Sequence, residues 1–241
     1  MRTNSPQPDD FFRFPHTPHI AWLGEGMPRD DKVLAPSEAT HLLRERVIIE
    51  EKVDGANLGL SIGPDGEIRA QNRGQYLHRP FTGQFSRLNA WVARHEYALQ
   101  EALDEHLILF GEWSAATHSI AYDQLPDYFL VFDMYDRVAG RFWSTTRRDA
   151  WAKNLGLTVI QPIGTGIYSM TDLKQAVKNT RSRYRDGSCE GIYLRWQDNS
   201  WLTMRAKLVR PDFVQGIESH WRSRTLRWNT VHHTVGVTNR M

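Results

Sequence analysis

Apolar and polar positions along this chain follow two periodicities. VIIEEKV (47–53), NLGLSI (57–62) and EIRAQN (67–72) are β-branched or alternating runs that predict strands, and GPDG between the last two predicts a hairpin. These three strands are expected to form a meander. LILFGEW (107–113) and YFLVFDMY (128–135) have the pattern of buried strands, LTVIQPI (157–163) that of another, and GIYLRW (191–196) with SWLTMRAK (200–207) that of a hairpin across QDN. A helical period appears at Leu88, Trp91, Val92, Leu99, Ala102 and Leu103, an apolar stripe on a helix that Ser86 would cap and that runs to about His106. Shorter helices are predicted at 35–46, capped by Ser37, at 145–155, capped by Thr145 or Thr146, and at 171–180. Strands dominate, helices are inserted between them, and no regular βαβ alternation appears. The pattern therefore predicts an α+β domain of antiparallel sheets flanked by helices.

Prolines at 6, 8, 15, 18, 28 and 36 make residues 1–46 loop-rich, a segment expected to pack on a main domain at 47–210. Residues 211–241 are expected to form a short basic helical tail. Residues 201–241 hold seven Lys/Arg against two acids, although the whole chain carries a net charge of only +2. Within HWRSRTLRWN (220–229) the expectation is a helix with Trp221 and Trp228 packed inward and Arg222, Arg224 and Arg227 outward, where they could meet nucleic-acid phosphates. A composition of 40% hydrophobic and 24% charged residues is that of an ordinary soluble protein. No apolar run approaches the roughly 18–20 residues of a membrane span, and the polar N-terminus has no secretory core. With a single cysteine, Cys189, the chain can form no intrachain disulfide and no cysteine zinc cage. A cytoplasmic protein with no membrane partner is expected.

The most informative stretch is EEKVDGANLG (50–59), where Lys52 ends an apolar strand and Asp54, Gly55 and Asn57 follow. An ordinary lysine has a pKa of about 10.4, so the nucleophilic amine is scarce at neutral pH and needs burial, a second cation or a metal ion to favour it. Lys-x-Asp-Gly alone arises by chance on the order of a few per cent of the time in a chain of this size. Its weight comes from an ordered series downstream: QNRG with Arg73, FGEW with Glu112, VFD with Phe132 and Asp133, CEGIYL with Glu190, and MRAKLVR with Arg205 and Lys207. Such a set suits phosphoryl transfer, which needs cations and positioning more than acid–base chemistry. Glu112 and Glu190 are hard oxygen donors of the kind Mg²⁺ or Mn²⁺ accepts, and Phe132 offers a flat face to a purine.

Over about residues 46–210 the series resembles the covalent nucleotidyltransferases, the superfamily of ATP-dependent DNA ligases, RNA ligases and capping enzymes. The resemblance implies the nucleotidyltransferase fold and a lysyl-AMP formed on Lys52 from ATP, with Mg²⁺ or Mn²⁺. It assigns Arg73 to the ribose and phosphate, Glu112 to the ribose hydroxyl, Phe132 to the adenine face, Glu190 to a metal ion and Lys207 to the α-phosphate. Glu51, Asn57 and Arg205 join the expected nucleotide contacts, and Glu112 the expected metal ligands. Only 34 residues follow Lys207, too few for a five-stranded barrel, so no C-terminal OB domain is expected. That feature, Asn57, the FGEW form and FRFPHTPHIAWLG (12–24) resemble the RNA ligase 2-like branch. The branch commonly has a lysine where Arg205 stands, a planar fork in place of a compact ammonium. The implied substrate is RNA with a 5′-phosphate and a 3′-hydroxyl end, with DNA or mixed nicks as the alternative, and with allowance for a protein partner that supplies end processing or substrate binding.

Overall fold

A computed structural model describes residues 11–25, 32–216 and 226–232. Its elements are α1 (Pro36–Arg44), β1 (Val47–Lys52), β2 (Ala56–Ile62), β3 (Ile68–Gln71), β4 (Tyr76–Leu77), α2 (Leu88–Ala102), β5 (Leu107–Trp113), β6 (Phe129–Asp136), β7 (Arg141–Phe142), α3 (Thr145–Asn154), β8 (Pro162–Gly166), α4 (Met170–Asn179), β9 (Gly191–Gln197), β10 (Leu202–Val209) and α5 (Pro211–Gly216). They build two antiparallel sheets: four strands in the order β10-β9-β1-β8, and six in the order β4-β3-β2-β5-β6-β7. The expected α+β domain of antiparallel sheets is what forms. Among the described residues no helix is long and apolar enough to cross a membrane.

The expected meander is divided. β2 and β3 do pair around the GPDG turn, where Gly66 takes φ +78°. β1 instead lies between β9 and β8 in the other sheet, so the chain passes from one sheet to the other between Lys52 and Ala56. A local pattern of apolar residues marks β1 as a strand but does not encode its partners, which come from 110 or more residues later in the chain. Each sheet has its own core. Leu88, Trp91, Val92 and Leu99 of α2 pack with Leu58, Leu60, Leu109 and Phe129 of the larger sheet. Leu42 of α1 and Leu173 and Val177 of α4 pack with Ile49, Ile192, Leu194 and Leu208 of the smaller one.

Several boundaries differ from the expected ones. The cap of α1 is Ala35, whose N–H donates to Glu38 at 2.8 Å, and Pro36 rather than Ser37 begins the helix. Gly83–Phe85 forms a 3-10 turn, so α2 starts after Arg87 and Ser86 does not cap it. Ser144, one residue before the expected threonines, caps α3 by accepting from the Arg147 N–H at 3.3 Å. Residues 157–160 run beside β6 through the bonds Val131 N–H to Thr158 O and Ile160 N–H to Val131 O, while the strand proper, β8, begins at Pro162. β8 is an edge strand, where a proline's missing N–H costs no ladder bond. The N-terminal segment lies along β10: Lys207 N–H donates to Pro18 O at 2.8 Å and Ile20 N–H to Lys207 O at 2.9 Å. Residues 226–232 are extended where a helix was expected.

The two sheets are tied by buried charges. Arg148 of α3, fully buried, donates to Glu50 of β1 at 2.7 Å, to Asp149 at 2.6 Å and to the carbonyl of Phe132 at 2.5 Å. Asp133 of β6 receives Arg195 of β9 and Arg205 of β10, and Arg195 also lies 3.6 Å from Glu50. Removing one member of such a cluster leaves a buried charge without compensation. Arg148→Met is therefore expected to lower stability by about 3–5 kcal/mol in urea unfolding. Adding Glu50→Gln, which removes the stranded charge, should restore part of that loss.

Candidate active site

Lys52 ends β1 where the chain leaves the smaller sheet, and its partners come from both sheets. Its ammonium donates to Glu190 Oε1 at 2.5 Å, and the register that pairs Lys52 with Gly191 brings Glu190 alongside. Glu112 enters from β5, directly opposite Asn57 on β2. Tyr193 and Lys207 face one another across β9 and β10. Arg73 follows β3, and its charge acts on Glu112 and Tyr193.

Two glycines make the approach of these strands possible. A Cβ at Gly55 would stand 2.8 Å from the Trp113 carbonyl and 3.0 Å from Glu112 Cγ. One at Gly191 would stand 2.4 Å from the Leu208 carbonyl. Neither position tolerates a side chain without moving backbone.

Burial and like charge dominate the electrostatics. Burial pushes Glu112 up to about 8, with Lys52 opposing and Glu190 and Asp54 adding to the rise. Glu190 is pushed to about 7 by burial, against the pull of Lys52. Burial alone would lower Lys52, but Glu190, Tyr193 and Glu112 outweigh it, and the ammonium is held well above the ordinary lysine range. The condition expected for a nucleophilic amine is thus reversed, because Glu190, Tyr193 and Glu112 favour the protonated lysine. Among the described residues, Asn57 Oδ1, Arg73 Nε and Glu190 Oε2 are buried polar atoms with no hydrogen-bond partner. Leaving such atoms unpaired costs about 1–3 kcal/mol each, which a ligand could recover.

The remaining expected residues are distributed differently. Phe132 sits at a bulge in β6, where Phe110 pairs with Asp133 and Gly111 with Val131. Bulges re-aim side chains, and the half-buried Phe132 ring packs both on Phe14, at 5.3 Å, and on the cluster containing Val53. Glu51 alternates with Lys52 along β1 and accepts from the Arg183 N–H at 2.9 Å. Arg205 is engaged by Asp133 and lies over Phe14 and Phe142, 4.4 and 4.2 Å from their ring centres. Arg227 lines a cavity of about 1250 Å³ together with His78, Gln84 and His118. Arg222 and Arg224 lie outside the described residues.

Sequence reasoning did not single out Tyr193, Tyr122 or His118. Strand alternation after Glu190 puts Tyr193 on the face of Lys207, a signal that was readable. Tyr122 and His118 belong to an irregular loop whose pattern announces nothing. Burial lowers His118, with Asp54 opposing and Lys52 reinforcing, and its Nε2 lies 2.7 Å from Gln84 Oε1.

Glu112 and Glu190 make stability depend on pH in a definite direction. Unfolded glutamate carboxyls lose their protons near their ordinary value of 4.5, whereas these two hold theirs to about 8 and about 7. The folded chain therefore binds more protons between those limits, and its stability should fall as pH rises from about 5 to 8 and then level off. Lys52 remains charged throughout that window and adds no slope. Urea unfolding at pH 5, 6.5 and 8 should show a shallower fall for Glu112→Gln than for the parent; equal slopes would contradict this account.

A family model for RNA ligase matches residues 45–209. No curated protein matches the chain significantly. Among solved structures, the chain is similar to a Naegleria gruberi RNA ligase with PPi, at 16% identity and a TM-score of 0.54 over 73% of this chain and 52% of that one. A mutant of that ligase with ATP and Mn gives 13% identity and a TM-score of 0.56 over 74% and 54%. An archaeal ATP-dependent RNA ligase gives 20% identity and 0.56 over 82% and 48%. The chain thus spans about half the length of these structures, and at such identities the likeness is one of fold. The family match covers well over half of the chain and includes Lys52, Glu112, Glu190 and Lys207, and on that ground the chain belongs to the RNA ligase family.

Proposed function

We propose that the chain is an ATP-dependent RNA ligase that takes AMP onto Lys52, passes it to a 5′-phosphate end and joins that end to a 3′-hydroxyl. The observation that carries this reading is the Lys52–Glu190 pair at 2.5 Å, in which Glu190 is buried and the Lys52 side chain keeps 18% exposure, with the charge of Glu112 acting on the lysine. In a two-step exchange of phosphoryl bonds, Lys52 Nζ attacks the α-phosphorus, pyrophosphate leaves, and the phosphoramidate is later broken by the oxygen of the RNA phosphate. A final attack by the 3′-hydroxyl releases AMP.

Lys52 must first give up its proton, and the same carboxyls that hold the ammonium oppose that loss. Glu190 and Glu112 fit a divalent cation: Glu190 Oε2 is buried without a partner among the described residues, and both carboxyls are pushed upward, first by burial and then by neighbouring carboxylates, Glu190 and Asp54 acting on Glu112 and Asp54 on Glu190. Among the described residues no group of three or more His, Cys, Asp and Glu is placed to hold an ion, so a cation here would rest on one or two carboxylates with water and nucleotide oxygens, as Mg²⁺ commonly does. When bound, it would supply positive charge that offsets both carboxylates and the phosphate oxygens. Arg73 and Lys207 add cationic charge for the phosphates, Asn57 offers a hydrogen-bond acceptor, and the Phe132 ring offers a face for the purine. The ATP and Mn named for the Naegleria gruberi mutant support the choice of nucleotide and ion class.

The reading is exposed at its first step. With α-labelled ATP and Mg²⁺ or Mn²⁺ the parent should become covalently labelled, and EDTA or Lys52→Ala should reduce labelling by at least about 10³-fold, the scale expected when a nucleophile is removed. Lys52→Ala should still seal RNA that is already adenylylated. A parent that binds ATP but never forms the adduct would be a nucleotide-binding module instead. Nicks with each strand as RNA or DNA, compared at equal concentration, test the preference for RNA.

A further inference from the structure

Asp54 is held by a loop, and that loop is held by a residue more than 100 positions away. Asp54 Oδ2 accepts from the N–H groups of Ser119 and Ile120 at 2.7 and 2.8 Å, and the Asp54 N–H donates to the Tyr122 hydroxyl at 2.8 Å. Residues 114–125 have little regular structure of their own. They gain a ladder from residues 226–232: Thr117 N–H to Arg227 O at 2.8 Å, Asn229 N–H to Ala115 O at 2.9 Å, Thr230 N–H to Tyr122 O at 3.0 Å, Leu125 N–H to Thr230 O at 3.2 Å and His232 N–H to Leu125 O at 2.8 Å.

At its centre the Asn229 side chain, buried at 4% exposure, uses its full hydrogen-bonding capacity. Nδ2 donates to the carbonyls of Ser114 and Ala116 at 2.9 and 3.3 Å. Oδ1 accepts from the Thr117 hydroxyl at 2.8 Å and from the Tyr122 N–H at 2.9 Å. One amide thus fixes both ends of the 114–122 loop, and Tyr122, which it orients through the backbone, is the residue that receives the Asp54 N–H.

We propose that Asn229 is a positioning residue for the chemistry of Lys52, acting through the 114–122 loop and Asp54, and that residues 226–232 form a strap without which the turn after Lys52 is not held in reactive geometry. The role rests on the ligase reading above, since Asp54 matters here as the residue two positions beyond the nucleophile. Geometry of this kind is worth a great deal, because a displacement of about 1 Å near a reacting centre can cost about 10²-fold in rate.

The full chain bearing Asn229→Ala provides the test, with single-turnover formation of the lysyl-AMP adduct at saturating ATP and Mn²⁺ and amide hydrogen exchange measured in parallel. The expected result is a rate about 10²-fold lower, faster exchange at Ser119 and Ile120, and unchanged protection in β5 and β6. Thr117→Val, which removes one of the four bonds and keeps the side chain's shape, should shift both readouts the same way by less; it decides the matter if Asn229→Ala does not fold. In an Asp54→Ala background Asn229→Ala should cause little further loss, as residues acting through one another are not additive. Adduct formation within twofold of the parent, unchanged exchange at Ser119 and Ile120, or additive losses would each overturn the proposal. A parent that forms no adduct would remove the ligase reading and Asn229's role in it, and the exchange data would then show separately whether Asn229 holds the loop.

Discussion

The buried ion cluster between the two sheets is the constraint on which the rest of the molecule depends. Glu50, Arg148, Asp133, Arg195 and Arg205 are drawn from β1, α3, β6, β9 and β10: Asp133 ties the larger sheet to Arg195 and Arg205 of the smaller one, Arg148 ties α3 to β1, and the Arg195–Glu50 contact braces β9 against β1 within the smaller sheet. Apolar packing alone would let the sheets slide, since dispersion has no direction. Bidentate and charge-assisted bonds do have direction, and they set the spacing at which Lys52, two residues along β1 from Glu50, meets Glu112 on the facing sheet. Arg205 illustrates the division of labour. Its residue type suited a phosphate contact, yet its guanidinium serves the cluster through Asp133 and two phenyl faces.

Between the sheets, the chemistry of the cleft is a matter of competing charges. Lys52 is held in its protonated form by Glu190, Tyr193 and Glu112, and the same lysine is the group proposed to react. These requirements conflict unless another cation relieves the carboxyls. The upward displacement of Glu112 to about 8 and Glu190 to about 7 measures how strongly burial disfavours both charges at once.

Local signals and long-range ones differed in how much they revealed. Lys52, Glu112 and Lys207 were legible because each sits in a short strand motif, where parity carries side-chain direction, and Glu190 because it stands immediately before one. The GPDG hairpin and the α2 stripe were legible for the same reason. The assignment of β1 to a sheet apart from β2 was not, because pairing partners at residues 162–166 and 191–197 are specified by the assembled fold. Helix starts were missed by one or two residues where Pro36 and Ser144 outcompeted the expected caps. Asn229 gave no sign at all: it stands at the end of the stretch 220–229 that was expected to be a packed helix, and only the convergence of Ser114, Ala116, Thr117 and Tyr122 on its amide reveals its use.

The Lys52–Glu190 pair also has a consequence for biosynthesis, since its two members are 138 positions apart. A nascent chain emerges from the ribosome with β1 and Lys52 long before β9 exists to flank it. During that interval the smaller sheet lacks its central neighbour and the lysine lacks its counter-ion, so the first half of the chain cannot hold a preassembled site. Fragments ending before residue 190 would carry Lys52 without the Glu190 partner that it has in the folded chain. The pair forms late, when the distant strand closes beside β1, and contacts of such high sequence separation are the slow ones to form.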